Sequence, residues 1–504
     1  MTDPLLDGDG EGVLRQVYDA AGPYLASLAD RPVVDPAATP LLRDLGGDLP
    51  DKGEGAAAAV HRLLHLGTRT ATHSAGPRFF HFVIGGVTPA ALAGDWTASL
   101  LDQNAAFRNS STLATEVETV ALGWLRELFG LPEGYGGALV ASATFANFTG
   151  LGAATHWWGE HHGADVAADG LAGLPRMPVL SGGYVHASSR KALQMLGHGR
   201  ESVEVFTRDP IGRVDLAAME RRLAELDAPA VIIANAGEVN AGDFDPVADL
   251  ADLAERYGAW LHVDGAFGLF AALSPRTAGL VAGIERADSI ACDAHKWLNV
   301  PYESGFAFLR EPARLAVAFG MPGAAYLPAP DDPGPASAGP RSVATRAERA
   351  GIPGRTASEA SAASADPRGG YALLGPESSR RARSLPIWAT LAAYGRSGYQ
   401  AMVERHLDLA QHLAALVDAA PDLERLADVP LCIVCFRARP AGVPEDQLDD
   451  LNRELGAAVL ADGRVFAGTT VYGGRVALRP AIVNWRTTES DIELFVEIVR
   501  SLIP

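Results

Sequence analysis

Lysine and cysteine are both scarce in this sequence. Only three of the 504 residues are lysine, so arginine supplies the other 39 of the 42 basic residues, and only three residues are cysteine. So few cysteines predict a reducing compartment, the cytoplasm, rather than a disulfide framework. The excess of arginine indicates that positions able to accept either basic residue generally carry arginine. Each remaining lysine is therefore a candidate for a role that arginine cannot perform, such as losing a proton and attacking a carbonyl.

Positive charge and long apolar runs are also lacking. The net charge is −19, which argues against nucleic acid or an anionic membrane surface as a partner. No uninterrupted apolar run reaches membrane-spanning length, and the acidic N-terminus, residues 1–12, predicts no signal peptide. The composition, 48% hydrophobic and 20% charged, is that of an ordinary globular protein. A length of 504 residues predicts two domains with appendages.

Four regions follow one another along the chain. Residues 1–85 are predicted to form a helical segment broken by prolines. Residues 86–326 alternate helical and strand patterns, as a mainly parallel α/β sheet requires, and form the predicted large domain. Residues 327–375 are rich in Pro, Ala, Gly, Ser and Arg, which predicts a long flexible loop. Residues 376–504 return to helical patterns and strands, and predict a smaller C-terminal α/β domain.

Cysteine and histidine patterns do not predict a metal or redox site. Cys432 and Cys435 form a CxxC, but the apolar run 429–436 that contains them reads as a buried strand. Residues three apart on a strand face opposite ways, so the two thiols are not expected to act together. The histidines at 156, 161 and 162 lack an acidic or cysteine partner at a useful spacing. We therefore expect no bound metal.

One of the three lysines, Lys296, lies in the stretch Asp293-Ala-His-Lys-Trp297, downstream of an apolar strand, 259–264, that ends in Asp264. Ligands of open α/β sheets bind at the carboxyl ends of strands, where a carboxylate can pair with a pyridine nitrogen. A reactive lysine after a strand-end aspartate points to pyridoxal phosphate (PLP), held by Lys296 as a Schiff base. The structural alternatives are a helix N-cap for Asp264 and an ordinary surface lysine beside a capping histidine.

Two further stretches follow strands and open helices. Ser142, Ala143 and Thr144 precede a helix, and small hydroxyl residues at a helix N-terminus suit a phosphate. His186 occupies the same kind of position, where an imidazole can stack on a cofactor ring and transfer protons. Simple helix capping is the alternative for each stretch. His295 is placed to reach the cofactor phosphate or to tune its neighbouring lysine.

Taken in order, these stretches resemble the group II PLP-dependent amino-acid decarboxylases, the family of the aromatic-L-amino-acid, histidine and glutamate decarboxylases. The likeness covers most of the chain. It is carried by Pro77–Phe82, Thr115–Thr119, Ser142–Thr144, His186, Asp264 with Ala266, His295–Trp297, Asn299–Gly305 and Val483–Thr488. The resemblance implies a PLP site formed by Ser142, Ala143, Thr144, His186, Asp264, Ala266, Asp293, His295 and Lys296, of which Lys296, His186 and Asp264 are catalytic.

The resemblance also implies the fold type I architecture of aspartate aminotransferase, with a large mainly parallel domain and a smaller C-terminal domain. An obligate homodimer is implied, with active sites at the interface and the N-terminal segment packed on the partner. Phe107 would approach the partner's cofactor. Phe82 and Phe107 are candidate substrate residues, which mildly favours an aromatic L-amino acid. The implied reaction releases CO₂ and an amine.

Three stretches depart from the family pattern. Asp293 stands where many members have Asn, Phe145 replaces a common acidic residue, and residues 235–238 differ from the usual Thr-rich strand end. Residues 328–375 lie where the family has a catalytic loop with a proton-donating tyrosine, and only Tyr326 and Tyr371 are nearby. Without that tyrosine, family members can form an aldehyde, so a decarboxylating oxidase is the alternative. A catalytically dead scaffold is a third possibility, against which Lys296, Asp264 and His186 argue together.

Overall fold

The computed structural model describes residues 10–320 and 370–503. By its internal contacts the chain divides into two compact units. The first unit consists of Met1–Gly86, Leu409–Asp428 and Val434–Pro504, and the second consists of Val87–Asp408 and Val429–Ile433. The N-terminal segment therefore groups with most of the C-terminal part of the chain. No helix within the described residues is both long and apolar enough to cross a lipid bilayer.

Helices and strands alternate through most of the chain. The helices are α1 Gly10–Ser27, α2 Ala56–Thr70, α3 Pro89–Leu101, α4 Thr112–Leu128, α5 Ala143–His161, α6 Val166–Asp169, α7 Ala187–Met195, α8 Leu216–Ala224, α9 Val247–Tyr257, α10 Ala313–Phe319, α11 Ser384–Ala419, α12 Glu445–Asp462 and α13 Glu489–Ser501. The strands are β1 Gly136–Val140, β2 Val179–Ser181, β3 Val203–Val205, β4 Val231–Asn235, β5 Trp260–Asp264, β6 Ser289–Asp293, β7 Gly305–Leu309, β8 Leu423–Arg425, β9 Phe436–Ala438, β10 Thr469–Tyr472 and β11 Arg475–Leu478.

The second unit contains a seven-stranded sheet in the order β1-β7-β6-β5-β4-β2-β3. Strand β7 runs antiparallel to β1 and β6, and the pairs from β6 through β3 are parallel. Every residue of β4, β5 and β6 is buried, which explains why these strands read as near-continuous apolar runs. The predicted mainly parallel α/β architecture is confirmed.

The first unit contains a four-stranded antiparallel sheet in the order β10-β11-β9-β8. Part of its core forms where the ring of Phe79 stacks on Phe466, with ring centroids 5.1 Å apart. Phe82, a candidate substrate residue, belongs to this unit, has a backbone φ of 55°, and is 58% exposed. A positive φ is uncommon for a non-glycine residue and is costly for a bulky side chain.

The prediction of a strand through residues 429–436 is wrong. Cys432 and Cys435 are fully buried and are not joined by a disulfide, but their backbone is irregular, and strand β9 begins only at Phe436. Burial accounts for the apolar run, whereas a strand also needs a ladder partner. The ladder with β8 and β11 starts at Phe436, opposite Arg425 and Leu478. Burial raises the pKa of the Cys432 thiol, so this thiol stays protonated.

A buried ion pair links two distant segments of the second unit. The Arg380 guanidinium donates to both carboxylate oxygens of Glu118, at 3.1 and 2.6 Å, and also to the carbonyl of Leu139 at 2.7 Å. Both side chains are almost fully buried, at 3% and 1% exposed. The ring of Tyr371 lies 5.5 Å from the Arg380 guanidinium carbon. Removing the arginine would leave Glu118 without a charged partner and the Leu139 carbonyl without this donor.

We expect Arg380→Leu to lower the free energy of unfolding by about 3–5 kcal/mol, because Glu118 would be left as a buried, unpaired charge. Denaturant unfolding followed by circular dichroism measures this loss. Arg381→Leu is the matched control, since the Arg381 side chain is 41% exposed and pairs with Asp95 at the surface. An exposed pair contributes at most about 1 kcal/mol. Equal losses in the two variants would contradict the prediction.

Candidate active site

The predicted site residues of the second unit gather at one edge of its sheet. Asp264 is the last residue of β5, Asp293 is the last residue of β6, and α5 begins at Ala143, three residues after the end of β1. These three strand ends lie at the same edge because β1, β5 and β6 point in the same direction. This is the edge at which open α/β sheets bind their ligands.

Lys296 is held by the carboxylate of Asp293. The Nζ atom of Lys296 lies 3.1 Å from Asp293 Oδ2, and the lysine side chain is 16% exposed. The other oxygen, Asp293 Oδ1, accepts a hydrogen bond from the backbone N–H of Ala143 at the start of α5. The backbone N–H of Asp293 donates to the carbonyl of Ala266 at 3.0 Å. One aspartate therefore ties the lysine to both the helix start and the loop that follows β5.

The residues after the lysine anchor it firmly. Trp297 is completely buried, and its indole N–H donates to Nδ1 of His406 at 2.8 Å. Asn299, which has a φ of 57°, donates from its amide to the carbonyl of Trp297 at 2.8 Å. This anchoring leaves Lys296 as the half-buried member of an otherwise buried segment.

His295 and Ser304 carry buried polar atoms that lack a partner among the described residues. These atoms are His295 Nδ1 and Ser304 Oγ. The backbone N–H of His295 donates to the carbonyl of Ser304 at 3.2 Å, so the two residues are neighbours. The His295 ring stacks on Tyr302 with centroids 4.3 Å apart, and burial lowers the pKa of the histidine despite the opposing charge of Asp293. Both side chains thus offer hydrogen-bonding capacity beside the lysine.

Asp264 is 2% exposed, and its carboxylate is surrounded by donors. Asp264 Oδ2 accepts from the amide of Asn147 at 2.9 Å and from the hydroxyl of Ser189 at 3.2 Å. Asp264 Oδ1 accepts from the backbone N–H of Ala266 at 3.2 Å. Hydrogen bonds to a carboxylate favour its ionised form, so these donors suit a negative charge at Asp264. Ala266 therefore lies between Asp264 and Asp293 in a continuous series of hydrogen bonds.

His186 is the N-cap residue of α7, as the capping alternative predicted. Its Nδ1 accepts from the backbone N–H of Ser188 at 3.2 Å, so the proton of the neutral ring is on Nε2. The hydroxyl of Ser188 lies 2.7 Å from the same nitrogen and 3.4 Å from Asp264 Oδ2. Capping does not exclude a cofactor role, because it uses one ring nitrogen and connects the imidazole to the Asp264 cluster.

The predicted phosphate loop packs directly against β7. Ser142 is the N-cap of α5, and its hydroxyl accepts from the N–H of Phe145 at 3.5 Å. A Cβ on Gly305 would lie 2.7 Å from the backbone carbon of Ser142, so only glycine permits this approach. Thr144 is half-buried at the first turn. Ser142, Ala143 and Thr144 therefore present the helix N-terminus at the edge that holds Lys296.

These residues fit pyridoxal phosphate. The cofactor needs an amine for its aldehyde, an anion for its pyridine nitrogen and hydrogen-bond donors for its phosphate. Lys296, the carboxylate of Asp264 and the start of α5 supply these three in one place. The open hydrogen-bonding capacity of His295 and Ser304 lies next to the lysine. No cluster of histidine, cysteine or acidic side chains within residues 10–320 and 370–503 has the arrangement of a metal site.

The structure places the remaining candidates in other surroundings. Phe107 is half-buried, and its carbonyl accepts from the backbone of Ser111 at 3.0 Å. Tyr371 is 2% exposed, and its hydroxyl lies 3.0 Å from the hydroxyl of Thr119. Burial raises the pKa of Tyr371, so it stays protonated. Tyr326 lies outside the described residues.

Two partners of Asp264 did not emerge from the sequence. Asn147 and Ser189 reach the carboxylate from α5 and α7, 117 and 75 positions away in the chain. The sequence did contain one indication of their role: both residues lie within the first turns of helices that follow strands, at the edge of the sheet where a ligand is expected. Pairing them with Asp264 needs the order of β1, β5 and β2 in the sheet, which the sequence pattern does not contain.

Comparison with known proteins supports the assignment of pyridoxal phosphate as the cofactor. The family profile described as the pyridoxal-dependent decarboxylase conserved domain matches residues 47–335 and 374–439. Aromatic-L-amino-acid decarboxylase of Bacillus atrophaeus is 26% identical over 483 residues, which cover 95% of this chain and 92% of that protein. Phenylacetaldehyde synthase of Arabidopsis thaliana is 27% identical over 434 residues, which cover 84% of this chain and 81% of that protein.

Solved structures agree on the fold. The crystal structure of Oryza sativa TDC with PLP and tryptamine has a TM-score of 0.82 and 24% identity, and the match covers 98% of each chain. Mouse CSAD has a TM-score of 0.83 and 23% identity, over 98% of this chain and 99% of the other. Since the family profile spans more than half of the sequence, the chain belongs to the pyridoxal-dependent decarboxylases, carboxy-lyases that use PLP to remove the carboxyl group of an amino acid.

Proposed function

We propose that Lys296 binds the cofactor covalently through its aldehyde and that Asp264 pairs with its pyridine nitrogen. The N-terminus of α5, with Ser142, Ala143 and Thr144, would hold the phosphate together with His295. When bound, PLP accepts the electron pair that departing CO₂ leaves on the substrate α-carbon. The observation that carries the proposal is the hydrogen-bonded series from Lys296 through Asp293 and Ala266 to Asp264, which holds an amine and a buried anion at one strand edge.

Each side chain has a task that its own surroundings support. Asp264 keeps a negative charge next to the pyridine nitrogen, because Asn147 and Ser189 donate to its Oδ2. Asp293 holds the Lys296 amine in place and receives it again when substrate displaces it. His186, whose Nδ1 is fixed by Ser188, offers a ring face to the cofactor and carries its proton on Nε2. Ala266, small and half-buried, leaves room below the cofactor ring.

The proposed substrate is an aromatic L-amino acid. Relatives named as aromatic-L-amino-acid, tryptophan and tyrosine decarboxylases support this choice. Phe82 and Phe107 are the proposed substrate-contacting aromatics. We further propose a homodimer with its active sites at the interface, the N-terminal segment packed on the partner, and a location in the cytoplasm.

Incubating the purified enzyme and PLP with each of the common L-amino acids, with and without oxygen, tests the reaction. We expect an aromatic amino acid to give one CO₂ and one amine, at the same rate in air and under nitrogen. The measurements are released CO₂, amine by chromatography, and oxygen uptake. Preference for an acidic or basic amino acid would contradict the proposed substrate while leaving decarboxylation in place.

A second candidate function is aldehyde formation, because relatives named phenylacetaldehyde synthase also match. In that reaction the amino acid, O₂ and water give an aldehyde, CO₂, ammonia and hydrogen peroxide. Peroxide and aldehyde that form in air and disappear under nitrogen would replace the amine assignment with this one. A protein that takes up no added PLP would instead support the non-catalytic scaffold.

A further inference from the structure

A row of buried polar side chains lies behind Asp264. Trp260 Nε1 is 2.9 Å from Ser289 Oγ, which is 2.8 Å from His262 Nδ1. His262 Nε2 is 2.8 Å from Asn147 Oδ1, and Asn147 Nδ2 is 2.9 Å from Asp264 Oδ2. Ser289, His262 and Asn147 are 0% exposed and Trp260 is 3% exposed. We call Trp260, Ser289, His262 and Asn147 the donor chain.

The chemistry of each group fixes the direction of every hydrogen bond in the donor chain. The Trp260 indole and the Asn147 Nδ2 are donors only, so Ser289 Oγ accepts from the first and Asp264 accepts from the second. Asn147 Oδ1 must then accept, so His262 Nε2 carries a proton. Burial lowers the pKa of His262 to about 4, although the charge of Asp264 opposes this shift. The neutral ring therefore accepts from the Ser289 hydroxyl at Nδ1, and all four bonds point towards Asp264.

Helix α5 is shaped to admit the imidazole. A Cβ on Gly150 would lie 2.9 Å from both Cε1 and Nδ1 of His262 and 3.0 Å from Ser289 Oγ. Gly150 is in the middle of a helix, where glycine is destabilising relative to alanine. Its presence gives His262 the space to reach Asn147, three residues earlier on the same helix. The donor chain is thus accommodated by the backbone as well as by the side chains.

We infer that His262 is a positioning residue that locks the Asn147 amide with its N–H side towards Asp264, and so maintains the anion that the cofactor's pyridine nitrogen needs. An amide and its flipped form differ little in shape, so only hydrogen bonds decide which end faces the carboxylate. Without the His262 donor, only the contacts of Asn147 Nδ2 with Asp264 and with the Ser188 hydroxyl at 3.1 Å orient the amide, so its hydrogen bond to the carboxylate is weakened. This inference rests on the proposed role of Asp264.

The test compares two cofactors that differ only at the atom in question. Pyridoxal phosphate and its 1-deaza analogue, in which the ring nitrogen is replaced by C–H, are titrated into the full-length, cofactor-free protein, and the dissociation constants are measured by fluorescence quenching. Wild type is expected to prefer pyridoxal phosphate. In His262→Phe and in Asn147→Leu the preference is expected to fall by about tenfold, the size of one charge-assisted hydrogen bond. The double variant should match Asn147→Leu alone, because His262 acts through Asn147.

Thr155→Val is the matched control. Thr155 is also a buried polar residue of α5, but its hydroxyl bonds to the carbonyl of Leu151 and to His198. This variant should bind both cofactors with the wild-type ratio even if its stability falls. A merely structural role of His262 would likewise weaken both cofactors equally and leave the ratio unchanged.

Asp264→Asn separates the inference from the proposed function. If Asp264→Asn abolishes the preference but His262→Phe and Asn147→Leu keep it, the donor chain has no positioning role and the assignment of Asp264 stands. If Asp264→Asn also keeps the preference, the pyridine partner is misassigned and the inference falls with it. Should His262→Phe not fold, Asn147→Leu and Gly150→Ala, which crowds the imidazole, decide the same question.

Discussion

Lys296→Ala is expected to abolish the covalent attachment of pyridoxal phosphate and to lower kcat by on the order of 10⁶-fold, the scale seen when a covalent catalytic group is removed. Alanine has no amine to form the bond to the cofactor aldehyde, and Asp293 loses the ammonium that lies 3.1 Å from its Oδ2. Borohydride reduction converts the lysine–cofactor bond into a stable secondary amine. Peptide mass spectrometry then locates the modified residue and measures its occupancy.

The chain offers unusually complete controls for this experiment, because it contains only two other lysines, Lys52 and Lys191. Both are exposed, and we expect Lys52→Ala and Lys191→Ala to retain full labelling at Lys296 and wild-type activity. The combined double variant has Lys296 as its only lysine side chain. Labelling on Lys52 or Lys191 in the wild-type protein would overturn the assignment of Lys296.

Asp264→Asn is expected to lower kcat by about 10²–10³-fold, the range found when one preorganised electrostatic group is removed from an active site. A neutral amide no longer stabilises a protonated pyridine nitrogen, so the electron-accepting capacity of the cofactor falls. Borohydride labelling of Lys296 should persist in this variant, since the lysine and Asp293 are untouched. Steady-state kinetics together with the labelling yield distinguish lost catalysis from lost binding.

Asp288→Asn provides the control for that substitution. Asp288 lies just before β6, at the opposite end of the strand from the active-site edge, and its Oδ2 accepts from the backbone N–H of Leu261 at 2.8 Å. The same chemical change at this end should leave kcat close to wild type, although it weakens a partly buried hydrogen bond. Comparable losses of kcat in Asp264→Asn and Asp288→Asn would show that general destabilisation, not the position of the charge, causes the effect.

Much of the chemistry could be predicted because it depends on residue type and local order. Lys296 stood out because lysine is rare in this chain, and Asp264 because it ends a largely apolar strand. The alternation of strands and helices predicted the mainly parallel sheet, and the strand edge followed from that topology. The same local logic failed for residues 429–436, where an apolar sequence is buried without pairing as a strand.

The sequence by itself determined the cofactor class and the fold class and gave Lys296 as the candidate lysine, because each depends on a short motif or a repeating pattern. Only the tertiary structure decided how Asp264 is held, since Asn147 and Ser189 reach its carboxylate from α5 and α7, and His262 contacts Asn147 in turn. The tertiary structure also decided that the carboxylate of Asp293 contacts both Lys296 and the backbone N–H at the start of α5. Such contacts depend on the order of the strands in the sheet and on close packing such as that of the His262 ring against Gly150. The pattern of residues along the sequence specifies neither.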